Sequence, residues 1–359
     1  MFLRSPQRIS PQRRSLWQWS LVRHGDRSPM TGKYLTLGST TEEAEALLWR
    51  RLLPAKSIGT EFCGVYESGF AWRRPKDAKD FPYGALTSRG ADRAKVTARN
   101  FVTSEKVTLR STNYGRTLAT ARAMGTQLEG VSPLIEVRCG GFNGFDMNPK
   151  ETMSAIREVR RHKITDPADL KNALIEAVPG ATPDNFGWLA IVDYSETRKR
   201  HGLPTYDDSL LRRAKKHLRT RYDLYFQHEA IYRLVSVPAL QELRDALRNV
   251  KNESHHHVNV AHDITILSLL AGLDARMPPS FSLPGFCSRL SLTLDDSRSL
   301  ATLTLDGAIL SLGGAQERPA KDLPISDLLH HLHDRINFRP EEDNHFHQDD
   351  DDDAAAASL

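Results

Sequence analysis

Near the start of the chain, the stretch LVRHGDRSPM (Leu21 to Met30) sets His24 between Arg23 and Arg27, with Gly25 directly after the histidine. Two later stretches have the same character: VTLRSTNYGRT contributes Arg116, and VNVAHDIT contributes His262 and Asp263. One pocket fed by all three would hold three guanidinium groups, two imidazoles and the Asp263 carboxylic acid. Arginines present planar forks of N–H donors that match phosphate oxygens better than lysine point charges do. A neutral imidazole among them can attack phosphorus and form a phosphohistidine that water later hydrolyses. The fixed cationic shell stabilises charge on the group in transfer. What remains is a proton for the leaving alkoxide, and Asp263 is the carboxyl at the third junction. This chemistry requires no metal-ligand pattern and no cofactor, and none is expected.

Such residues must be brought together by the elements around them. LWQWSLV is a strand-like lead-in to the first stretch. YGALTSRGADRAKVTARNFV opens with a turn and continues as a helix whose apolar content is mostly Ala91, Ala94, Val96, Ala98 and Val102. EKVTLRST and PLIEVR read as strands, separated by a helix with Leu118, Ala121 and Met124 near one face. Strands alternating with helices predict an α/β fold with a mainly parallel central sheet flanked by helices. Each of the three stretches lies at a strand-to-helix junction, and open α/β sheets bind ligands outside the carboxyl ends of their strands.

From 140 to 256 the strand pattern gives way to helical spacing. Leu210, Leu211, Ala214, Leu218, Tyr222 and Tyr225 recur along one run, and Leu240, Leu243, Leu247 and Val250 along another that starts with Pro238 in its first turn. The expected organisation is a basic arm over 1–14, an α/β core over 15–139 and 257–338, an inserted, smaller helical cap domain over 140–256, and an acidic disordered tail over 339–359. RLSLTLDDSRSLATLTLDG reads as an antiparallel hairpin with DDSRS at its tip.

At 359 residues the chain can bury a large core, and its net charge of +4 selects no class of partner. No apolar run reaches the ~18 residues of a membrane helix. Three cysteines, Cys63, Cys139 and Cys287, cannot form a disulfide framework, which favours a reducing compartment. The first 19 residues hold four arginines, three serines and no acid, a composition shared by disordered basic arms and mitochondrial presequences. The expected location is therefore intracellular, cytosolic or mitochondrial, and the oligomeric state is open.

RHGDRSP resembles the R-H-G-x-R-x-P signature of the histidine acid phosphatases, the second branch of the histidine phosphatase superfamily. RSTNYGRTLATA is similar to that family's R-S-T-x-x-x-R-T segment, and AHDIT to its H-D motif. YGALTSRG and HGLPTYDD are weaker echoes, so the likeness spans roughly residues 16–335. The resemblance implies that His24 is the phosphorylated nucleophile and Asp263 the proton donor. It implies that Arg23, Arg27 and Arg116 clamp the phosphate, with His262 adding a contact, and that Gly25 allows a close backbone approach while Pro29 stiffens the loop exit. The chain departs from the family in lacking the disulfide cysteines of its secreted members, in a more polar lead-in strand, and in Ile264 where many relatives have threonine.

Other features have plainer readings. Arg200-His201-Gly202 repeats the reactive tripeptide with no strand before it and no arginine three residues after the histidine, so it reads as a cap loop. His255 to His257 read as a solvated strand start, and LRRAKKHLRTR as a solvated helix face rather than a nucleic-acid surface. The reading that results is an acid phosphatase for small-molecule phosphate monoesters. Its alternatives are a relative acting on inositol phosphates or lysophosphatidic acid, and a protein that holds phosphate without turnover. Selectivity is expected from the helical insertion and the segment around Glu61 to Arg74.

Overall fold

The computed structural model describes residues 17–30, 42–66, 82–101, 106–138, 149–250, 254–276, 281, 283–295, 297–313 and 318–340. The basic arm, Val102, Cys139, most of the acidic tail and much of the segment around Glu61 to Arg74 lie outside the described residues.

The protein is α/β with a mainly parallel central sheet. Its strands are β1 (Gln18–Arg23), β2 (Cys63–Tyr66), β3 (Lys106–Thr112), β4 (Leu134–Arg138), β5 (His255–Ala261), β6 (Ala275–Arg276), β7 (Arg289–Leu294), β8 (Leu300–Leu305), β9 (Ala308–Ile309), β10 (Ser311–Leu312), β11 (Arg318–Pro319) and β12 (Leu323–Pro324). The main sheet runs β12-β8-β7-β1-β5-β3-β4-β2, with β9 on β8, and the short β11-β10-β6 form a second sheet. From β1 to β2 every pairing is parallel, whereas β7, β8 and β12 are antiparallel. The hairpin read around DDSRS is β7–β8.

Helices cover both faces. The first three are α1 (Glu42–Leu52), α2 (Ser88–Arg99) and α3 (Gly115–Gly125). Ala91, Ala94 and Ala98 of α2 and Leu118, Ala121 and Met124 of α3 pack on Val22, Leu109, Val258 and Val260. The small alanine side chains let α2 lie close to the sheet, and Val96 is exposed. On the opposite face Trp19 and Leu21 meet α8 (Val237–Arg248), α9 (Asp263–Gly272) and α10 (Ile325–Asn337). Between 149 and 250 the described residues form helices and loops: α4 (Pro149–His162), α5 (Ala168–Ala177), α6 (Trp188–Arg200), α7 (Asp208–Gln227), and then α8. Of these, α4 to α7 share a separate core built on Leu174, Ile191, Ala214 and Leu218, whereas α8 packs with the sheet.

Pro238 stands in the first turn of α8, as expected, and a helical run from Glu229 reaches that turn through a π turn, Tyr232–Ser236. Proline has no N–H to give and crowds the preceding turn, and a widened turn accommodates both. One local expectation needs correction: the three histidines do start β5, but they are not solvated. They lie inside β5, between β1 and β3, and His256 is fully buried. Its Nε2 is 2.9 Å from Ser20 Oγ, which is 3.3 Å from Ser291 Oγ, and its ring meets Phe101 edge-on. A hydrogen-bonded row across β5, β1 and β7 thus accounts for the polarity of the lead-in strand: buried polar groups are tolerated where they are paired.

This row has a cost at low pH. Burial holds His256 and His257 at pKa values of about 3, against an ordinary 6.5. Unfolded, these imidazoles take up protons near their ordinary value; folded, they stay neutral far below it. The unfolded chain therefore binds more protons between about pH 6.5 and 3, and stability falls as pH drops through that window, by at most about 1.4 kcal/mol per pH unit for each buried imidazole. Melting curves between about pH 7 and 4.5 should show the midpoint dropping, and His256→Gln should flatten that slope. Equal slopes for the two proteins would contradict the assignment.

Candidate active site

The three strand-to-helix junctions meet because β3, β5 and β1 are neighbours with their carboxyl ends at the same edge. His24 follows β1 directly, and its backbone N–H donates to Ala261 O at 2.9 Å, extending the β1–β5 ladder to the residue before His262. On the other side Arg23 N–H donates to Ser288 O at 2.9 Å and Cys287 N–H to His24 O at 3.2 Å. The rings of His24 and His262 lie 5.5 Å apart, centre to centre.

Gly25 and Gly90 explain how the loop that carries His24 is seated. A Cβ on Gly25 would come within 2.5 Å of Gly90 O, and one on Gly90 within 1.9 Å of Asp26 O. Only two bare backbones can approach so closely. Thr87, which caps α2 by accepting from Gly90 N–H, also donates its hydroxyl to Asp26 O at 3.0 Å. The YGALTSRG echo is therefore the piece that grips the RHGDRSP loop. A third tether runs from Gly25 N–H to Thr120 Oγ1 on α3 at 3.0 Å.

His24 is 1% exposed, and its Nδ1 lies 2.9 Å from Gly25 O. A carbonyl only accepts, so the proton sits on Nδ1 and the lone pair on Nε2. Burial, followed by the positive fields of Arg116, Arg27, Arg23 and His262, holds this imidazole well below its ordinary pKa. It stays neutral, and thus nucleophilic, in acid.

All three predicted arginines are buried here. Arg23 donates from Nη1 to Pro284 O at 2.6 Å and from Nη2 to Asp263 Oδ2 at 3.0 Å, with its guanidinium 4.2 Å above the Phe286 ring. Arg27 is held by Ser28 O and by both carboxylate oxygens of Asp193. Arg116 lies 4.5 Å over Tyr114, and its Nη2 is 3.4 Å from His262 Nδ1. Thr112 Oγ1 donates to Thr117 Oγ1 at 3.1 Å, so it accepts from His262 Nε2, also at 3.1 Å. That leaves His262 Nδ1 as the acceptor facing Arg116. The Nε atoms of Arg23 and Arg27 are buried and have no hydrogen-bond partner among the described residues. Buried unpaired donors are costly, and an oxyanion between the arginines would satisfy them. Asp263 opens α9; its Oδ1 accepts from Ile264 N–H at 2.9 Å, and its side chain is 25% exposed, open enough to meet a ligand.

The structure thus brings together all six predicted residues and adds Asp193, Phe286, Tyr114 and Thr112. Asp193 had one faint signal, an acid within the otherwise apolar turn Ile191 to Tyr194 of α6. The repeated tripeptide plays another part: His201 closes α6, its Nδ1 donating to Thr197 O at 2.7 Å and its Nε2 2.9 Å from Thr87 Oγ1, the α2 cap. On α7 the basic run pairs with acids, Arg213 with Asp169, Arg219 with Asp223, and His217 and Arg221 with Asp166. Among the described residues no helix is long and apolar enough to cross a membrane.

No protein-family model and no curated protein sequence matches the chain. Solved structures do. The phytase of Klebsiella sp. ASR1 superposes with a TM-score of 0.58 at 16% identity, over 89% of this chain and 95% of that one. The Hafnia alvei phytase without ligand gives 0.55 at 13% identity, over 91% and 98%, and the Citrobacter braakii phytase 0.50 at 15%, over 90% and 88%. Such identities speak for architecture, and architecture and motifs agree: this chain has the histidine acid phosphatase fold.

Proposed function

We propose that the protein hydrolyses phosphate monoesters in two steps through a phosphohistidine on His24. The observation that carries this reading is a buried, neutral imidazole with its proton fixed on Nδ1, set among three arginines of which two keep a buried Nε–H without a partner among the described residues. In the first step His24 Nε2 attacks phosphorus, the P–O ester bond breaks, and the leaving oxygen takes a proton from Asp263. In the second, water attacks phosphorus and returns a proton to Asp263, the P–N bond breaks, and phosphate departs.

Arg23 couples binding to this proton transfer. It holds Asp263 through Nη2, and an arriving phosphate competes for the same guanidinium. Substrate binding therefore loosens the acid from its arginine at the moment it is needed. The three arginines neutralise the transferring group, a task that elsewhere falls to metal ions. A protein that only held phosphate would have no use for a nucleophile and an acid, which argues against a non-turnover binder. Residues 140–256, the proposed helical cap, are proposed to select the ester.

The test is a rapid alkaline quench of turnover on labelled substrate in excess chelator, since phosphohistidine is acid-labile. Label should be recovered on His24 and the rate should be unaffected by the chelator. Label on serine or aspartate, or activity restored only by added magnesium or zinc, would overturn the mechanism.

A further inference from the structure

Arg27 commits two of its donors to one carboxylate: Nη2 to Asp193 Oδ1 at 2.6 Å and Nη1 to Asp193 Oδ2 at 3.1 Å. Met30 N–H donates to the same Oδ2 at 2.8 Å. Asp193 thus holds both the guanidinium and the end of the loop that carries it. Both side chains are 4% exposed, so water competes little for these bonds. The carboxylate comes from α6, 166 residues along the chain from Arg27 and in the helical segment rather than the sheet.

An arginine side chain has several free torsions, and a bidentate fork fixes its plane where a point contact would not. Nη1 gives to Ser28 O and Asp193 Oδ2 and Nη2 gives one proton to Asp193 Oδ1, which leaves the edge that carries the second Nη2 proton and the buried Nε–H, an atom without a partner among the described residues. Asp193 therefore determines which edge of the guanidinium remains for an oxyanion. Its negative charge, taken alone, would repel phosphate, so geometry and charge predict opposite effects of removing it.

We propose that Asp193 is a positioning residue for phosphate transfer, acting through Arg27, and that the helical segment thereby completes the phosphate pocket rather than only selecting the ester. This rests on the phosphatase reading above.

The test is a double-mutant cycle of Asp193→Asn with Arg27→Met, read both as kcat/KM on p-nitrophenyl phosphate and as inorganic phosphate binding by calorimetry. With Arg27 present, Asp193→Asn should lower kcat/KM roughly 10- to 100-fold, the scale of a small misplacement of a catalytic group. In the Arg27→Met background the further loss should be no more than about twofold, because the residues act as a unit. Asp193→Glu, which keeps a fork, should retain more activity than Asp193→Asn. Breaking a buried pair is destabilising, so the apolar pair Arg27→Met with Asp193→Leu serves as the fold control: it should recover the melting temperature without recovering turnover. If Asp193→Asn does not fold, Asp193→Glu carries the same cycle.

Unchanged or faster turnover in Asp193→Asn, or an equal loss in both Arg27 backgrounds, would overturn the proposal. A wild-type protein that binds phosphate but turns over no monoester would instead overturn the phosphatase reading, and the calorimetric cycle would still read the coupling.

Discussion

His24→Ala is expected to lower turnover by more than about 10⁴-fold while leaving inorganic phosphate binding measurable. The two effects separate because the imidazole and the arginines are built independently. His24 supplies the lone pair on Nε2, and no group beside it can replace that pair: His262 Nδ1 faces Arg116, and its Nε2 is bound to Thr112. Binding rests on Arg23, Arg27 and Arg116, each anchored through contacts that do not include His24. Turnover on phosphate monoesters, calorimetry with phosphate, and a melting curve check the result together. Residual activity within about a hundredfold of wild type would remove His24 from the chemistry. Loss of phosphate binding with an intact fold would show that the imidazole, not the arginines, holds the anion.

Asp263→Asn should produce the second-largest effect, and one that depends on the substrate. An alkoxide needs a proton to depart, so alkyl phosphates should slow by about 10²- to 10⁴-fold, the usual contribution of a general acid. p-Nitrophenolate leaves without one, so p-nitrophenyl phosphate should lose less than about tenfold. Asn also removes the charge that pairs with Arg23, but that change touches both substrates alike, and the ratio isolates the proton. The depressed pKa of His24 keeps its imidazole neutral on the acid side, so protonation of this ring should not limit turnover there. Equal losses on both substrates would make Asp263 structural.

The parts of this site that are legible in the sequence are those whose chemistry is local. Arg23 ends β1 and His24 and Arg27 follow it in one loop, Arg116 and the His262–Asp263 pair each begin a helix after a strand, and such junctions announce themselves by period and composition. Pairings across the sheet do not. Polarity at Ser20 and His256 reads locally as exposure, and only their juxtaposition in neighbouring strands turns it into a hydrogen-bonded interior row. Asp193 escaped for the same reason: within α6 it is one acid on a helix, and its meaning lies in Arg27 across the fold. Pro238 marks the first turn of α8 correctly, but nothing local to it announces the π turn before it.

The placement of β1 at the centre of the sheet also bears on how the protein is made. Ser20 waits for His256, 236 residues later, and β7 follows later still. At ~5–20 residues per second, the ribosome leaves the strand that leads into His24 without neighbours for roughly 10–50 s. During that time Trp17, Trp19 and Leu21 have no β5 or β7 to pair beside and no α9 or α10 to bury them. The His24 loop is thus among the first parts synthesised and among the last assembled, so chains released early carry His24 but no pocket, together with an unpaired aromatic strand for chaperones to shield.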